Sequence, residues 1–182
     1  MSLAEPWQRA EVGGPKKALL ITKPAVVVSM IKKAKRPILV VGSGVLEKVN
    51  DDKELIDFVI ELAQKGKIPV VATAHIVGEF HKRNFKPAAW MPSVDIVNRL
   101  VDGEWLGLDG KGQYDLALFI GLPYYMDWIL LNALKHFAPS VKTVSLDKTY
   151  QPNASWSFSN LTVKDWMENL NEIISKVGAE KE

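Results

Sequence analysis

The chain has 182 residues, of which 47% are hydrophobic and 24% charged, and its formal net charge is +2. This length predicts one domain whose hydrophobic core needs no disulfide or metal cross-links. So small a net charge argues against a protein that binds nucleic acid or an anionic membrane. The absence of cysteine excludes disulfides, thiolate zinc sites, thiol nucleophiles and iron–sulfur clusters held by this chain alone.

The first part of the chain predicts an arm, a helix and a buried strand. Residues 1–21 form the N-terminal arm, and Thr22 is a candidate cap for a helix over 24–35. The run Ile38–Val41 is apolar without alternation, which is typical of a strand buried on both faces of a parallel sheet.

A helix and a second strand follow. Asn50 or Asp51 can cap this helix, whose apolar stripe runs from Leu55 to Ala63, and Gly66 is predicted at the C′ position, just beyond the helix end. Ile68–Ala74 is the second buried strand, so the stretch has the length of a βαβ unit.

The rest of the chain alternates helices with strands. Residues 75–92 have no regular pattern. Residues 102–113 are rich in glycine and aspartate, and residues 148–160 are rich in polar and aromatic residues, so both stretches are predicted as loops. The predicted elements are a helix over Ser93–Leu100, a strand over Leu116–Pro123, a helix over Tyr124–Phe137, a strand over Val141–Asp147, an edge strand over Leu161–Val163 and a helix over Lys164–Val177.

This alternation predicts an α/β fold, Rossmann-like, with a doubly wound, mainly parallel sheet of five or six strands. We expect a single domain over 1–182, with the arm at 1–21 and a charged tail at 178–182. In such sheets, ligands bind in the crevice beyond the carboxyl ends of the strands.

Three strand ends meet at that crevice and supply the candidate site. Small residues there leave room for a ligand, backbone N–H groups could hold phosphate oxygens, and a carboxylate could accept from a ribose hydroxyl. The predicted cofactor-binding residues are Gly42, Ser43, Gly44, Gly121, Pro123 and Asp147.

The glycine motif is incomplete. Gly42 and Gly44 begin a G-x-G-x-x-G pattern, but Glu47 occupies the third glycine position. A tight turn is therefore an equally good interpretation of these glycines, and Asp147 could simply cap the loop that follows it.

No catalytic or metal-binding set stands out. His75 and His81 are six residues apart, unlike the H-E-x-x-H spacing of zinc ligands. Ser43 is not in a nucleophile elbow, because Val41 replaces the first glycine of G-x-S-x-G.

Four segments carry a resemblance to a known family: Lys35–Gly44, Ile68–Ala74, Leu118–Gly121 and Tyr150–Ala154. With these, about residues 5–177 resemble the epsilon subunits of archaeal acetyl-CoA decarbonylase/synthase (carbon monoxide dehydrogenase) complexes. The order of elements also resembles the central domain of thiamine-diphosphate enzymes and the sirtuin-type NAD/FAD-binding fold.

The resemblance implies a non-catalytic accessory subunit. Its partner would be a large, cysteine-rich nickel–iron–sulfur alpha subunit, in an α2ε2 component that interconverts CO and CO2 within a complex that makes or cleaves acetyl-CoA. The epsilon role would be stabilising, with FAD binding and electron transfer between a cluster and the flavin. We expect a homo-oligomer when the chain is alone.

The alternative is a free-standing NAD- or FAD-dependent enzyme, for which His75 is the one candidate base. Under either hypothesis we expect a cytoplasmic protein. No apolar run approaches the roughly 20 residues that span a bilayer, and the N-terminus lacks a signal-type apolar core.

Overall fold

The computed structural model describes residues 14–47 and 54–179, and a parallel sheet lies at its centre. The strands are β1 (Leu19–Leu20), β2 (Pro37–Val41), β3 (Val70–Ala72), β4 (Ala89–Trp90), β5 (Leu116–Ile120), β6 (Lys142–Ser145) and β7 (Trp156–Ser157). Their order across the sheet is β1-β7-β6-β5-β2-β3-β4, and every neighbouring pair is parallel.

Helices cover both faces of this sheet. They are α1 (Pro24–Lys33), α2 (Leu55–Gly66), α3 (Val77–Lys82), α4 (Ser93–Val101), α5 (Tyr124–Phe137) and α6 (Val163–Gly178). Short 3-10 helices follow β2 and β3, at Ser43–Leu46 and Ala74–Ile76.

The apolar side chains of the strands pack into two hydrophobic cores, one on each face of the sheet. Along β2, Leu39 and Val41 pack with α1, α2 and α6, while Ile38 and Val40 pack with α4 and α5. Successive side chains of a strand point to opposite faces, so an unbroken apolar run is what a doubly covered strand requires.

The chain reverses its direction across the sheet between β2 and β5. From β2 it winds outward through β3 to β4, and it then returns to the other side of β2 and winds through β5, β6 and β7. The carboxyl ends of β2 and β5 therefore form the topological switch point, the usual position of a ligand in open α/β sheets.

These observations confirm the α/β, doubly wound, parallel fold, but the sheet has seven strands rather than five or six. The strands that were not predicted, β1, β4 and β7, have two residues each, too few for a sequence pattern to reveal. β1 lies in the segment predicted as an arm, and the irregular stretch 75–92 contains α3 as well as β4.

The predicted edge strand over Leu161–Val163 is wrong. Leu161 and Thr162 are not in a strand, and Val163 begins α6. The Thr162 Oγ1 accepts a hydrogen bond of 3.1 Å from the Asp165 backbone N–H, so local capping outweighs the strand preference of these residues. β6 instead pairs with β7, inside the predicted loop.

Two helix ends also differ from prediction. Lys23, not Thr22, is the N-cap of α1. Gly66 is the last residue of α2 rather than the residue beyond its end, and Lys67 takes the left-handed conformation at φ 52°. The N-cap of α2 is Glu54. The other candidate caps, Asn50 and Asp51, lie outside the described residues, as do residues 1–13 of the arm and 180–182 of the tail.

Candidate functional site

A crevice of about 370 Å³ opens at the switch point. The turn after β2 lines it with Ser43 and Gly44, and the turn after β5 lines it with Gly121 and Pro123. Asp147, which follows β6, completes the predicted set, so five of the six predicted residues share one cavity.

The sixth predicted residue, Gly42, packs against the turn after β5. A Cβ atom at Gly42 would lie 2.3 Å from the Gly121 carbonyl oxygen, and one at Gly44 would lie 2.9 Å from the same atom. The Gly44 backbone N–H also donates to this oxygen at 2.7 Å. Gly121 has φ 74°, which favours glycine. The three glycines therefore let two backbone turns touch.

Asp147 forms hydrogen bonds with the turn after β5. Its Oδ1 and Oδ2 both accept from the Gly121 backbone N–H, at 2.9 and 3.2 Å. Burial raises the pKa of Asp147 to about 7, and the negative charge of Glu47 adds to the increase, while the Gly121 N–H and Lys148 oppose it. Its carboxyl group is therefore engaged with the protein itself.

A second carboxyl group, that of Asp127 in the first turn of α5, is buried behind the crevice. Burial raises the pKa of Asp127 well above its usual range, and the Asp147 charge acts in the same direction. The Ser145 hydroxyl donates to its Oδ2 at 3.4 Å, which opposes the increase. The Asp127 carboxyl group is therefore harder to ionise than an exposed aspartate.

The loop between β6 and β7 holds α5 in position. Gln151 Nε2 donates to the Tyr124 carbonyl oxygen at 3.1 Å, and Asn153 Nδ2 donates to the Trp128 carbonyl oxygen at 3.1 Å. Both carboxamide side chains are buried. Among the described residues Gln151 Oε1 has no hydrogen-bond partner, and Gln151 lines the crevice.

The crevice is lined by charges of both signs. Glu47 follows the turn after β2, whereas Asp147 and Lys148 are sequence neighbours in the segment after β6. α5 begins at Tyr124, beside the crevice, and the first turn of a helix presents backbone N–H groups and a partial positive charge. An anionic group such as a pyrophosphate suits the α5 side better than the glycine turn.

Sequence reasoning missed several lining residues. Lys148, Thr149 and Gln151 belong to the stretch interpreted only as a loop, and Trp166 lies on α6, which was predicted as a helix without any role at the site. The Trp166 indole N–H donates to the Leu146 carbonyl oxygen at 2.7 Å, which ties α6 to the end of β6. The position of the loop directly after a strand end was the available signal.

His75, the candidate base of the alternative hypothesis, does not line the crevice and is exposed on the 3-10 helix after β3. In the part of the chain that the structure describes, no group of three or more histidine or acidic side chains could hold a metal ion. None of the described helices is long and apolar enough to cross a membrane.

Comparison with known proteins gives a consistent result. A family model described as CO dehydrogenase beta subunit/acetyl-CoA synthase epsilon subunit matches residues 2–174. The chain is 36% identical to the acetyl-CoA decarbonylase/synthase complex subunit epsilon of Methanothermobacter thermautotrophicus, over 94% of this chain and 95% of that protein. It is 43% identical to subunit epsilon 1 of Archaeoglobus fulgidus, over 77% and 73%, and 36% identical to subunit epsilon of Methanothrix soehngenii, over 93% and 89%.

Proposed function

Because the chain belongs to the CO dehydrogenase beta subunit/acetyl-CoA synthase epsilon subunit family, we propose that it is the epsilon subunit of an acetyl-CoA decarbonylase/synthase complex. Its role is accessory: it associates in the cytoplasm with a large nickel–iron–sulfur alpha subunit, in an α2ε2 component, and stabilises it. A chain without cysteine depends on another chain for iron–sulfur clusters, which supports this division of labour.

The nucleotide part of the proposal is that FAD binds in the crevice. The observation that carries it is the position of this cavity at the switch point between β2 and β5, where α/β sheets bind nucleotides. The glycine turn is the less favourable side for an anion, because the acid Glu47 lies at its end. The pyrophosphate would lie against the first turn of α5 and Lys148, where the partial charges are positive.

When bound, FAD would accept and donate electrons, which is the chemistry needed to pass charge to or from a cluster in the partner. This chain would contribute binding and orientation. Ser43, Thr149 and Gln151 offer hydroxyl and carboxamide groups along the crevice, and Lys148 offers a positive charge.

Association is tested in an organism that makes the chain, by tagging it and purifying it without oxygen. We expect a much larger, cysteine-rich chain to be purified with it, with nickel and iron in the same fraction. Mass spectrometry identifies the chain, and metal analysis gives the ratio of nickel to epsilon subunit. Recovery of the tagged chain only as a free oligomer would contradict the proposed role.

Nucleotide binding is tested by isothermal titration of the full-length protein with FAD and then with NAD. We expect saturable FAD binding near one per chain, and we expect Lys148→Glu to weaken it by at least about tenfold, or 1.4 kcal/mol, because the variant places an acid where a cation faced the pyrophosphate. Lys142→Glu is the matched control, since Lys142 is exposed and does not line the crevice. Folded protein that gives no heat with FAD would remove this part of the proposal.

A further inference from the structure

An apolar groove of about 220 Å³ lies on the outer side of α5, next to the crevice. Tyr124, Tyr125, Trp128 and Ile129 line it. Tyr125 is 65% exposed and Ile129 is 54% exposed, although both are large apolar or aromatic side chains on a helix. No charged residue is among the lining residues, and most of the groove surface is aromatic or aliphatic.

The groove and the crevice adjoin at the first residue of α5, because Tyr124 lines both. The crevice is near the lower end of the roughly 300–1,000 Å³ typical of ligand pockets. A dinucleotide has a ring system at each end of its pyrophosphate. A pyrophosphate at the first turn of α5 would place one nucleoside in the crevice and direct the other ring toward the groove.

The chemistry of the two cavities decides which ring lies where. Adenosine carries many hydrogen-bonding groups and suits the crevice, where Ser43, Thr149 and Gln151 offer polar atoms. The isoalloxazine ring is larger, and its dimethylbenzene end makes no hydrogen bonds. The five helical steps from Tyr124 to Ile129 extend about 7.5 Å along the axis, and aromatic side chains bind flat rings by stacking.

We propose that the groove formed by Tyr124, Tyr125, Trp128 and Ile129 is the subsite for the isoalloxazine ring of a flavin dinucleotide whose adenosine lies in the crevice. This assignment rests on the proposed FAD binding. It adds the prediction that the chain binds FAD more tightly than nucleotides without a flavin ring, and that side chains of α5 cause this difference in affinity.

The experiment measures the affinities of FAD and ADP for the full-length protein and two variants. Tyr125→Ala removes an exposed ring from the groove. Phe137→Ala is the matched control, because Phe137 is 70% exposed on the same helix and lines neither cavity. Isothermal titration gives the dissociation constants, and quenching of flavin fluorescence reports stacking against an aromatic side chain.

We expect FAD to bind more tightly than ADP, and Tyr125→Ala to weaken FAD binding by between about 5- and 100-fold, the usual range for loss of a stacked ring. ADP affinity should not change, flavin quenching should decrease, and Phe137→Ala should alter neither nucleotide. Equal affinities of FAD and ADP for the unmodified protein would overturn the subsite while leaving nucleotide binding intact.

Two further results would also decide the question. Equal weakening of FAD and ADP by Tyr125→Ala would place adenine in the groove and overturn the assignment of the flavin ring. If neither FAD nor ADP binds the folded protein, the proposed nucleotide function fails and the subsite with it.

Discussion

Asp147 shows at the scale of one residue how the crevice is held together. Its carboxyl group accepts from the Gly121 backbone N–H, yet burial and the nearby Glu47 charge raise its pKa to about 7. Around it are the acids Glu47 and Asp127, the cation Lys148 and this one backbone dipole. The Asp147 carboxyl group, which binds the turn after β5, is therefore also sensitive to pH.

This raised pKa predicts how stability depends on pH. An aspartate in the unfolded chain has a pKa near 3.9, so between about pH 4 and 7 the folded protein retains a proton that the unfolded chain has lost. The contribution of Asp147 to the free energy of unfolding should therefore decrease as pH rises through this window, by at most about 1.4 kcal/mol per pH unit, and should level off above it.

The variant Asp147→Asn tests this, because an amide oxygen can still accept from Gly121 while the group no longer titrates. Urea unfolding between pH 4 and 8 should show a shallower decline in the free energy of unfolding than in the unmodified protein. Asp95→Asn, an exposed position on α4, serves as the control and should keep the original slope. Identical slopes for all three proteins would show that Asp147 does not hold this proton.

At the scale of elements, the decisive contact is between the turns after β2 and β5. Gly42, Gly44 and Gly121 allow these backbones to meet, with the Gly44 N–H donating to the Gly121 carbonyl oxygen. The buried carboxamides of Gln151 and Asn153 meanwhile hold α5 from behind. The glycine pattern thus builds the wall of the crevice, and α5 forms the side that suits an anion.

A methyl group at Gly42 should break this contact. In Gly42→Ala the Cβ atom would lie 2.3 Å from the Gly121 oxygen, so one turn must move, and overpacking of this kind costs about 1–3 kcal/mol. Gly78→Ala is the control, because nothing lies within 4 Å of its added Cβ on helix α3, and alanine should stabilise that helix by about 0.5–1 kcal/mol.

Denaturant unfolding of the two glycine variants gives both free energies. We expect opposite signs, with Gly42→Ala less stable and Gly78→Ala more stable than the unmodified protein. A Gly42→Ala variant as stable as the original would mean that the two turns do not need this close approach.

At the scale of the whole molecule, one sheet separates two cores and places all its ligand-facing ends on one edge. Charged residues cover the outer surface of α6, including Lys164, Glu168 and Glu172. By contrast, the exposed start of α5 is aromatic and aliphatic at Tyr125 and Ile129. This uncharged surface adjoins the crevice at Tyr124, which lines both cavities.

The sequence predicts the fold well and the site incompletely, and particular residues show why. Apolar runs such as Ile38–Val41 identify buried strands because a doubly covered strand must be apolar on both sides. The two-residue strands β1 and β4 leave no such pattern. The lining residues Lys148 and Gln151 lie in a loop, and the amino-acid composition of a loop does not indicate which cavity the loop borders.

The sequence alone determined the alternation of helices with buried strands, the small residues at the strand ends and, through the lack of cysteine, the need for another chain to hold any iron–sulfur cluster. These properties depend on local periodicity and on residue chemistry. The packing of the strands determined that Gly42 and Gly44 face Gly121, that Asp147 binds that turn, and that Tyr124 of α5 borders both the polar crevice and the apolar groove. These contacts join residues as far apart in sequence as Gly42 and Gly121, and strand order, which no local pattern encodes, sets their distances.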